Sequence, residues 1–247
     1  MTGEEYALNI LLNINNFGEP FARDVLRRSI RPWMRVLIVP FSFHEDWITC
    51  AEDFDRHYAR GQDEFEDIAQ AFAAYGIRRR NLRTLHYFRD TPRVCREKLR
   101  HADVLFFTGG YPDKLLYRID EKRLRRAICG FRGIVMGTSA GAMIQLDHYH
   151  VTPEEDGQDY EYHDGLGLLS GFDIEVHYEP AFAHLAGMVT ALRLHHKTIF
   201  ALPNHGGLVV DGERLTPLGD AFAVDEGDAD ALQAELDRLL EDGDETP

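Results

Sequence analysis

Two short apolar, β-branched runs, Ala7 to Asn13 and Arg35 to Phe41, flank a stretch (FARDVLRRSI) whose apolar residues recur at helical spacing after the turn signal Phe17 to Pro20. The pattern reads as strand, helix, strand. Between Glu52 and Tyr75, the residues Phe54, Tyr58, Phe65, Ile68, Phe72 and Tyr75 keep roughly helical spacing and Gly76 supplies a stop, which predicts one long amphipathic helix. Arg83 to Tyr87 reads as a weak strand and Pro92 to Leu99 as a short helix. Asp103 to Thr108 (DVLFFT) is a buried strand opening into Gly109 and Gly110, with a helix beginning near Pro112. A helix at about Glu121 to Cys129 and a strand at Ile134 to Met136 continue the alternation.

Strands that alternate with helices pair in parallel through right-handed crossovers. The expected class is therefore α/β: a doubly wound, mostly parallel sheet with helices on both faces. A ligand site is expected at the carboxyl ends of its strands. The later chain is less regular. Thr152 to Tyr162 is acidic and looplike, Asp173 to Tyr178 and Ile199 to Leu202 read as strands, Leu208 to Thr216 as a hairpin through Asp211 and Gly212, and Ala231 to Leu240 as a terminal helix. Residues 1–247 are expected to form a single domain, with an acidic C-terminal helix or tail at about 225–247.

Composition narrows the setting. Hydrophobic residues make up 44% and charged residues 28%, the balance of a globular chain. No apolar run approaches the ~18 to 20 residues of a membrane span, and the opening MTGEEYALNILLNINNF has neither a basic n-region nor a small-residue cleavage site, so membrane insertion and secretion are not expected. Cys50, Cys95 and Cys129 are odd in number and in no metal spacing, which favours buried thiols in a reducing compartment, the cytoplasm by default. The formal charge is −15, and from Asp225 to Pro247 there are ten acidic residues against Arg238 alone. Such a surface excludes nucleic acid as a natural partner; a homodimer is the base-rate expectation for a soluble enzyme.

Candidate chemistry centres on GIVMGTSAGAM, Gly133 to Met143, where a buried strand runs into Gly137, Thr138, Ser139, Ala140 and Gly141 and then a helical start. This is the form of a nucleophile elbow, in which small neighbours allow a strained backbone to lift a serine Oγ above the sheet edge. The Ala140 N–H, at the start of the following helix, would face a developing oxyanion. The same residues also suit a plain tight turn or an anion-binding loop, although no Lys follows the glycines as a Walker A loop requires. A second glycine turn, FFTGGYPDKL, would lie beside Ser139 if the two strands are adjacent, making the Gly110 N–H a second oxyanion donor.

FTGG before a helix, then GTSAGA, then GLGLL before a strand containing a lone His, resembles the peptidase E and cyanophycinase family of serine peptidases, in order from about Arg35 to Val210. The resemblance implies a class I glutamine amidotransferase-like fold (a flavodoxin-like three-layer sandwich), a Ser, His, Glu triad, no metal or other cofactor, and acyl-enzyme cleavage of short peptides often bearing an aspartyl residue. It assigns Ser139 as nucleophile, Gly110 and Ala140 as oxyanion donors and His177, in DIEVHYEP, as general base, the group a weakly nucleophilic hydroxyl needs. His148, His150, His163, His184, His195 and His196 have no comparable position, and no HExxH-like set orders them around a metal.

The third member departs from the family. ALPNHGGLVV puts Asn204 where Glu is expected, and an Asn orients an imidazole without stabilising its charge. Either Asn204 with His205 takes the part or a carboxylate does, with Glu179, Glu154, Glu155 and Asp173 as candidates. Between Ala181 and His196 there is only Arg193 to pair with a substrate aspartate, so strict aspartyl dipeptidase activity is not assumed. Asn204 also motivates the alternative of a catalytically silent protein of the same fold that binds a small molecule or peptide. A glutamine amidotransferase module, whose nucleophile is Cys, fits an elbow carrying Ser poorly.

Overall fold

The computed structural model describes residues 7–153 and 160–243. Its strands are β1 (Leu8–Leu12), β2 (Val36–Val39), β3 (Leu82–Thr84), β4 (Val104–Phe107), β5 (Ile134–Thr138), β6 (His148–Val151), β7 (Glu161–Asp164), β8 (Phe172–Val176), β9 (Thr198–Leu202), β10 (Gly206–Asp211), β11 (Arg214–Gly219) and β12 (Phe222–Val224). The helices are α1 (Pro20–Leu26), α2 (Ala51–Tyr58), α3 (Asp63–Ala73), α4 (Pro92–Arg100), α5 (Pro112–Glu121), α6 (Arg125–Cys129), α7 (Ala140–Met143), α8 (Phe182–His195) and α9 (Ala229–Gly243). Pro20, Pro92 and Pro112 open α1, α4 and α5, where a missing N–H costs no helical bond.

Among the described residues the main sheet has the order β11-β10-β1-β5-β4-β2-β3. Its five strands from β1 to β3 are mutually parallel, while β10 and β11 run antiparallel at the other edge. The period-2 alternation of side chains divides each strand between two cores. Leu11, Leu37, Val39, Leu105, Phe107 and Val135 pack with residues of α4 to α7, whereas Ile10, Leu12, Val36, Ile38, Val104 and Phe106 pack with residues of α1 and α3. A second sheet has the order β12-β9-β8, and β6 pairs antiparallel with β7 in a third.

Register brings the candidate site together. Leu12 is level with Thr138, Phe107 with Gly137, and Val39 with Phe107. The segments that leave β1, β5, β4 and β2 therefore emerge at one edge of the sheet.

Several expected elements differ. The single helix over Glu52 to Tyr75 is two, because the chain turns at Gly61 (φ +89°) between α2 and α3; their aromatic residues keep helical spacing on either side of the break. Only Arg125–Cys129 of the helix expected over Glu121 to Cys129 forms α6, since Glu121 closes α5 and Arg123 adopts φ +53°. The weak strand after Arg83 is reduced to Leu82–Thr84. Within the segment read as a loop, Glu161 and Tyr162 belong to β7, paired with β6, while Glu154 and Glu155 lie outside the described residues. Of the thiols expected to be buried, Cys95 is, Cys50 is half-buried and Cys129 is exposed. Among the described residues no helix is long and apolar enough to cross a membrane.

Candidate active site

Ser139 sits between β5 and α7 at φ +50°, ψ −119°, a conformation that costs an L-residue roughly 1–3 kcal/mol and persists only where neighbours impose it. The neighbours are close. A Cβ on Gly137 would lie 2.0 Å from the Gly141 carbonyl oxygen, and one on Gly141 would lie 2.3 Å from that of Phe107, so β4, β5 and α7 meet at van der Waals limits only glycine allows. The Ser139 N–H is anchored on Leu12 O at 2.9 Å.

The Ser139 hydroxyl lies 2.8 Å from His177 Nε2. His177 follows β8 at φ +56°, just past the strand end, and its backbone N–H donates to Asn13 Oδ1 at 2.7 Å. Asn13, buried at the end of β1, donates through Nδ2 to Asn204 Oδ1 at 3.1 Å. Asn204 is thus linked to the backbone of His177 through Asn13. Of the carboxylates that could take the third role, Asp173 is engaged elsewhere: His150 bridges it to Glu175, Nδ1 to Asp173 at 2.8 Å and Nε2 to Glu175 at 2.5 Å. Glu179 is exposed.

The second glycine turn falls where β4–β5 adjacency requires. A Cβ on Gly109 would be 3.4 Å from that of Ser139, and Gly110 adopts φ +129°. Among the described residues neither the Gly110 N–H nor the Ala140 N–H has a hydrogen-bond partner. Ser139, His177 and Gly110 open into one cavity of about 570 Å³. Glu64 and Asp67 of α3 and His57 of α2 line it too, with the exposed rings of Trp47 and Tyr111 and the ring of His44 at its lip, His44 lying 5.0 Å from Tyr111 and 5.6 Å from Trp47. Among the described residues no Lys or Arg lines it. Desolvation and the charge of Asp67 push the Glu64 carboxyl above its ordinary value, opposed by His57.

The remaining histidines are dispersed. His150 and His184 enter the buried carboxylate cluster, His163 pairs with Glu161, His195 stacks on Tyr162 and His196 meets Glu226. Among the described residues no group of His, Cys, Asp and Glu is arranged to hold a metal ion. Asn13 and Ser42 were missed in the sequence, although NINN at the end of an apolar run was a signal: polar residues crowded at a buried strand's carboxyl end have no core role.

Fold and site together define a mixed α/β protein with a mostly parallel central sheet, whose carboxyl edge carries a serine–histidine pair between two glycine turns. The family model for peptidase family S51 matches residues 58–218, and the chain belongs to that family; it is a peptidase. Its fold is similar to that of a putative peptidase E protein from Listeria monocytogenes EGD-e, at 17% identity over 85% of this chain and 97% of that one, with a TM-score of 0.59. It is also similar to a peptidase from an acI-B1 Actinobacterium, at 16% identity over 90% and 95% of the two chains, with a TM-score of 0.53. No curated protein matches the sequence.

Proposed function

We propose that the protein is a serine-type peptidase that cleaves short peptides through an acyl-enzyme, with Ser139 as nucleophile and His177 as general base. The observation that carries this reading is the 2.8 Å contact between Ser139 Oγ and His177 Nε2, made by a serine in a strained turn beside two unpartnered N–H groups. His177 takes the hydroxyl proton as Oγ bonds to the scissile carbonyl carbon, and the carbonyl oxygen becomes an oxyanion against the N–H groups of Gly110 and Ala140. Collapse breaks the C–N bond, and the departing amine takes the proton from His177. Water, deprotonated by the same imidazole, then attacks the ester and releases the acid and Ser139. No cofactor takes part.

In this reading Asn204 is a positioning residue that acts on His177 through Asn13. The sheet is of the doubly wound, class I glutamine amidotransferase-like kind, which is supported by five parallel strands with helices packed in both cores and by a site at the strands' carboxyl ends. Among the described residues the cavity lining has Glu64 and Asp67 and no Lys or Arg, which supports substrates bearing a positive charge over aspartyl ones. The three free thiols support a reducing, cytoplasmic setting.

The test is labelling of the folded protein by a fluorophosphonate, mapped by mass spectrometry. Attachment at Ser139 alone, absent in Ser139→Ala and in His177→Ala, is the expected result. A folded wild type that takes no label at Ser139 would favour instead a silent binding protein, whose ligand affinity survives Ser139→Ala.

A further inference from the structure

Two glycines in succession form a turn with little resistance to rotation of the peptide between them, because each flanking residue tolerates both signs of φ. The Gly109–Gly110 peptide is such a unit, yet the proposed chemistry needs its N–H to point in one direction. The structure contains a lock for it. Ser42, fully buried in the loop after β2, donates its hydroxyl hydrogen to the Gly109 carbonyl oxygen, and its own carbonyl accepts the Tyr111 N–H at 2.8 Å. Described peptide bonds are all trans, so the C=O and N–H of one peptide unit point in opposite directions. A Gly109 carbonyl tied to Ser42 therefore sends the Gly110 N–H the other way.

Ser42 is itself held. Arg118 of α5 is only 4% exposed, and its nearest carboxylate is that of Glu45 at 3.8 Å. Its Nη1 instead donates to the carbonyls of Phe41 and Phe43, 2.6 Å each, the two residues that flank Ser42, while the guanidinium lies 3.6 Å from the centre of the Phe43 ring. A buried cation spent on two backbone carbonyls fixes the path of the loop that carries Ser42.

We infer that Ser42, held in place by Arg118, is a positioning residue that sets the direction of the Gly110 N–H and so completes the oxyanion site. The inference rests on the proposed roles of Ser139 and Gly110. It differs from a packing role in a checkable way. A serine hydroxyl has one hydrogen, and Ser42 gives it to Gly109, so in the 2.9 Å contact with Thr108 Oγ1 the donor is Thr108. Thr108→Val then removes a buried hydrogen bond to Ser42 without releasing the glycine peptide.

The experiment is fluorophosphonate labelling of the full chain, resolved into inhibitor affinity and maximal rate, for wild type, Ser42→Ala, Ser42→Cys, Thr108→Val and Ser139→Ala, with folding checked by thermal melting. Loss of an oxyanion donor costs about 10²–10³ in rate, and a donor left free to turn away loses part of that. Ser42→Ala is expected to lower the maximal rate about 10- to 100-fold with affinity little changed, and Thr108→Val to stay within about threefold of wild type. Should Ser42→Ala not fold, Ser42→Cys decides in the same sense, since a thiol of similar volume is a weak donor. A folded Ser42 variant at the wild-type rate, or a Thr108→Val as slow as Ser42→Ala, overturns the inference. Labelling of Ser139→Ala at the wild-type rate overturns the underlying reading instead.

Discussion

At the scale of residues, the site is a set of strand ends made to agree. Ser139, Gly110 and His177 all have positive φ; Ser139 and His177 are held by Leu12 and Asn13 at the end of β1, and the peptide leading into Gly110 by Ser42 after β2. Asn13 is the most connected of these neighbours: its carboxamide accepts from the backbone of His177 and donates to Asn204. Asn13→Ala leaves the His177 N–H without that acceptor, so it is expected to slow fluorophosphonate labelling by at least about tenfold and to lower stability by about 1–3 kcal/mol. Exposed Asn204 holds only the far end of this chain, and Asn204→Ala is expected to stay within about threefold of wild type; a larger loss than that of Asn13→Ala would place Asn204 on the imidazole itself. That the two glycine turns would meet at Ser139 was legible in the sequence, because each follows a buried strand, whereas His177 was pointed to only by the family resemblance; the structure brings all of them together. Asn13, Ser42 and Arg118 were not legible, because their roles depend on which strand ends are level, and that is a property of register.

At the scale of elements, the apolar runs of the central sheet were legible and its punctuation was not. Helical spacing carries across the break between α2 and α3 because both flanks must bury aromatic residues, so periodicity alone does not reveal the turn at Gly61. The β6-β7 hairpin, HYHV against EYHD, hides its pairing among histidines and tyrosines. What joins β6, β8 and α8 is the buried cluster in which His150 bridges Asp173 and Glu175, Thr152 donates to Glu175 at 2.9 Å, and His184 closes on the other oxygen of Glu175. Burial works against a charged His150, but the two carboxylates outweigh it and raise its pKa to about 10. Glu175, which burial alone would raise, is held below its ordinary value by His150 and His184. Tyr160, stacked on His150, is pushed up by burial and stays neutral in this range.

A raised histidine stabilises the fold fully below its unfolded value of 6.5 and loses that contribution as pH climbs to about 10, while the lowered Glu175 contributes above 4.5 and loses it on acidification. Melting temperature is therefore expected to fall between pH 7 and pH 10. His150→Gln, which leaves two buried carboxylates facing each other, should cost about 3–5 kcal/mol at pH 7 and flatten that alkaline slope. A slope as steep in the variant as in wild type would put the titrating group elsewhere.

At the scale of the whole molecule, charge and cavity point the same way. The chain carries a formal −15, and the cavity over Ser139 adds Glu64 and Asp67 from the first turns of α3 with no lining Lys or Arg among the described residues. Among the described residues Glu64 makes neither an ion pair nor a hydrogen bond, and its raised carboxyl pKa reflects desolvation and the like charge of Asp67. A cationic group entering the cavity relieves that repulsion; a carboxylate adds to it. Trp47 and Tyr111, at the aromatic lip, are rings of the kind on which a cation is stabilised. Short peptides with Lys or Arg next to the scissile bond are therefore expected to exceed their Asp counterparts in kcat/KM by about tenfold or more at low salt, a contact plus long-range attraction. Because the long-range part is screened within about 10 Å at 0.1 M salt, the ratio should shrink as ionic strength rises. Glu64→Gln combined with Asp67→Asn should remove most of the remainder, and should raise the use of Asp peptides as the repulsion goes. Equal use of Lys and Asp peptides by the wild type would mean that the substrate's charge never reaches α3, and that the reacting bond is held from the aromatic lip alone.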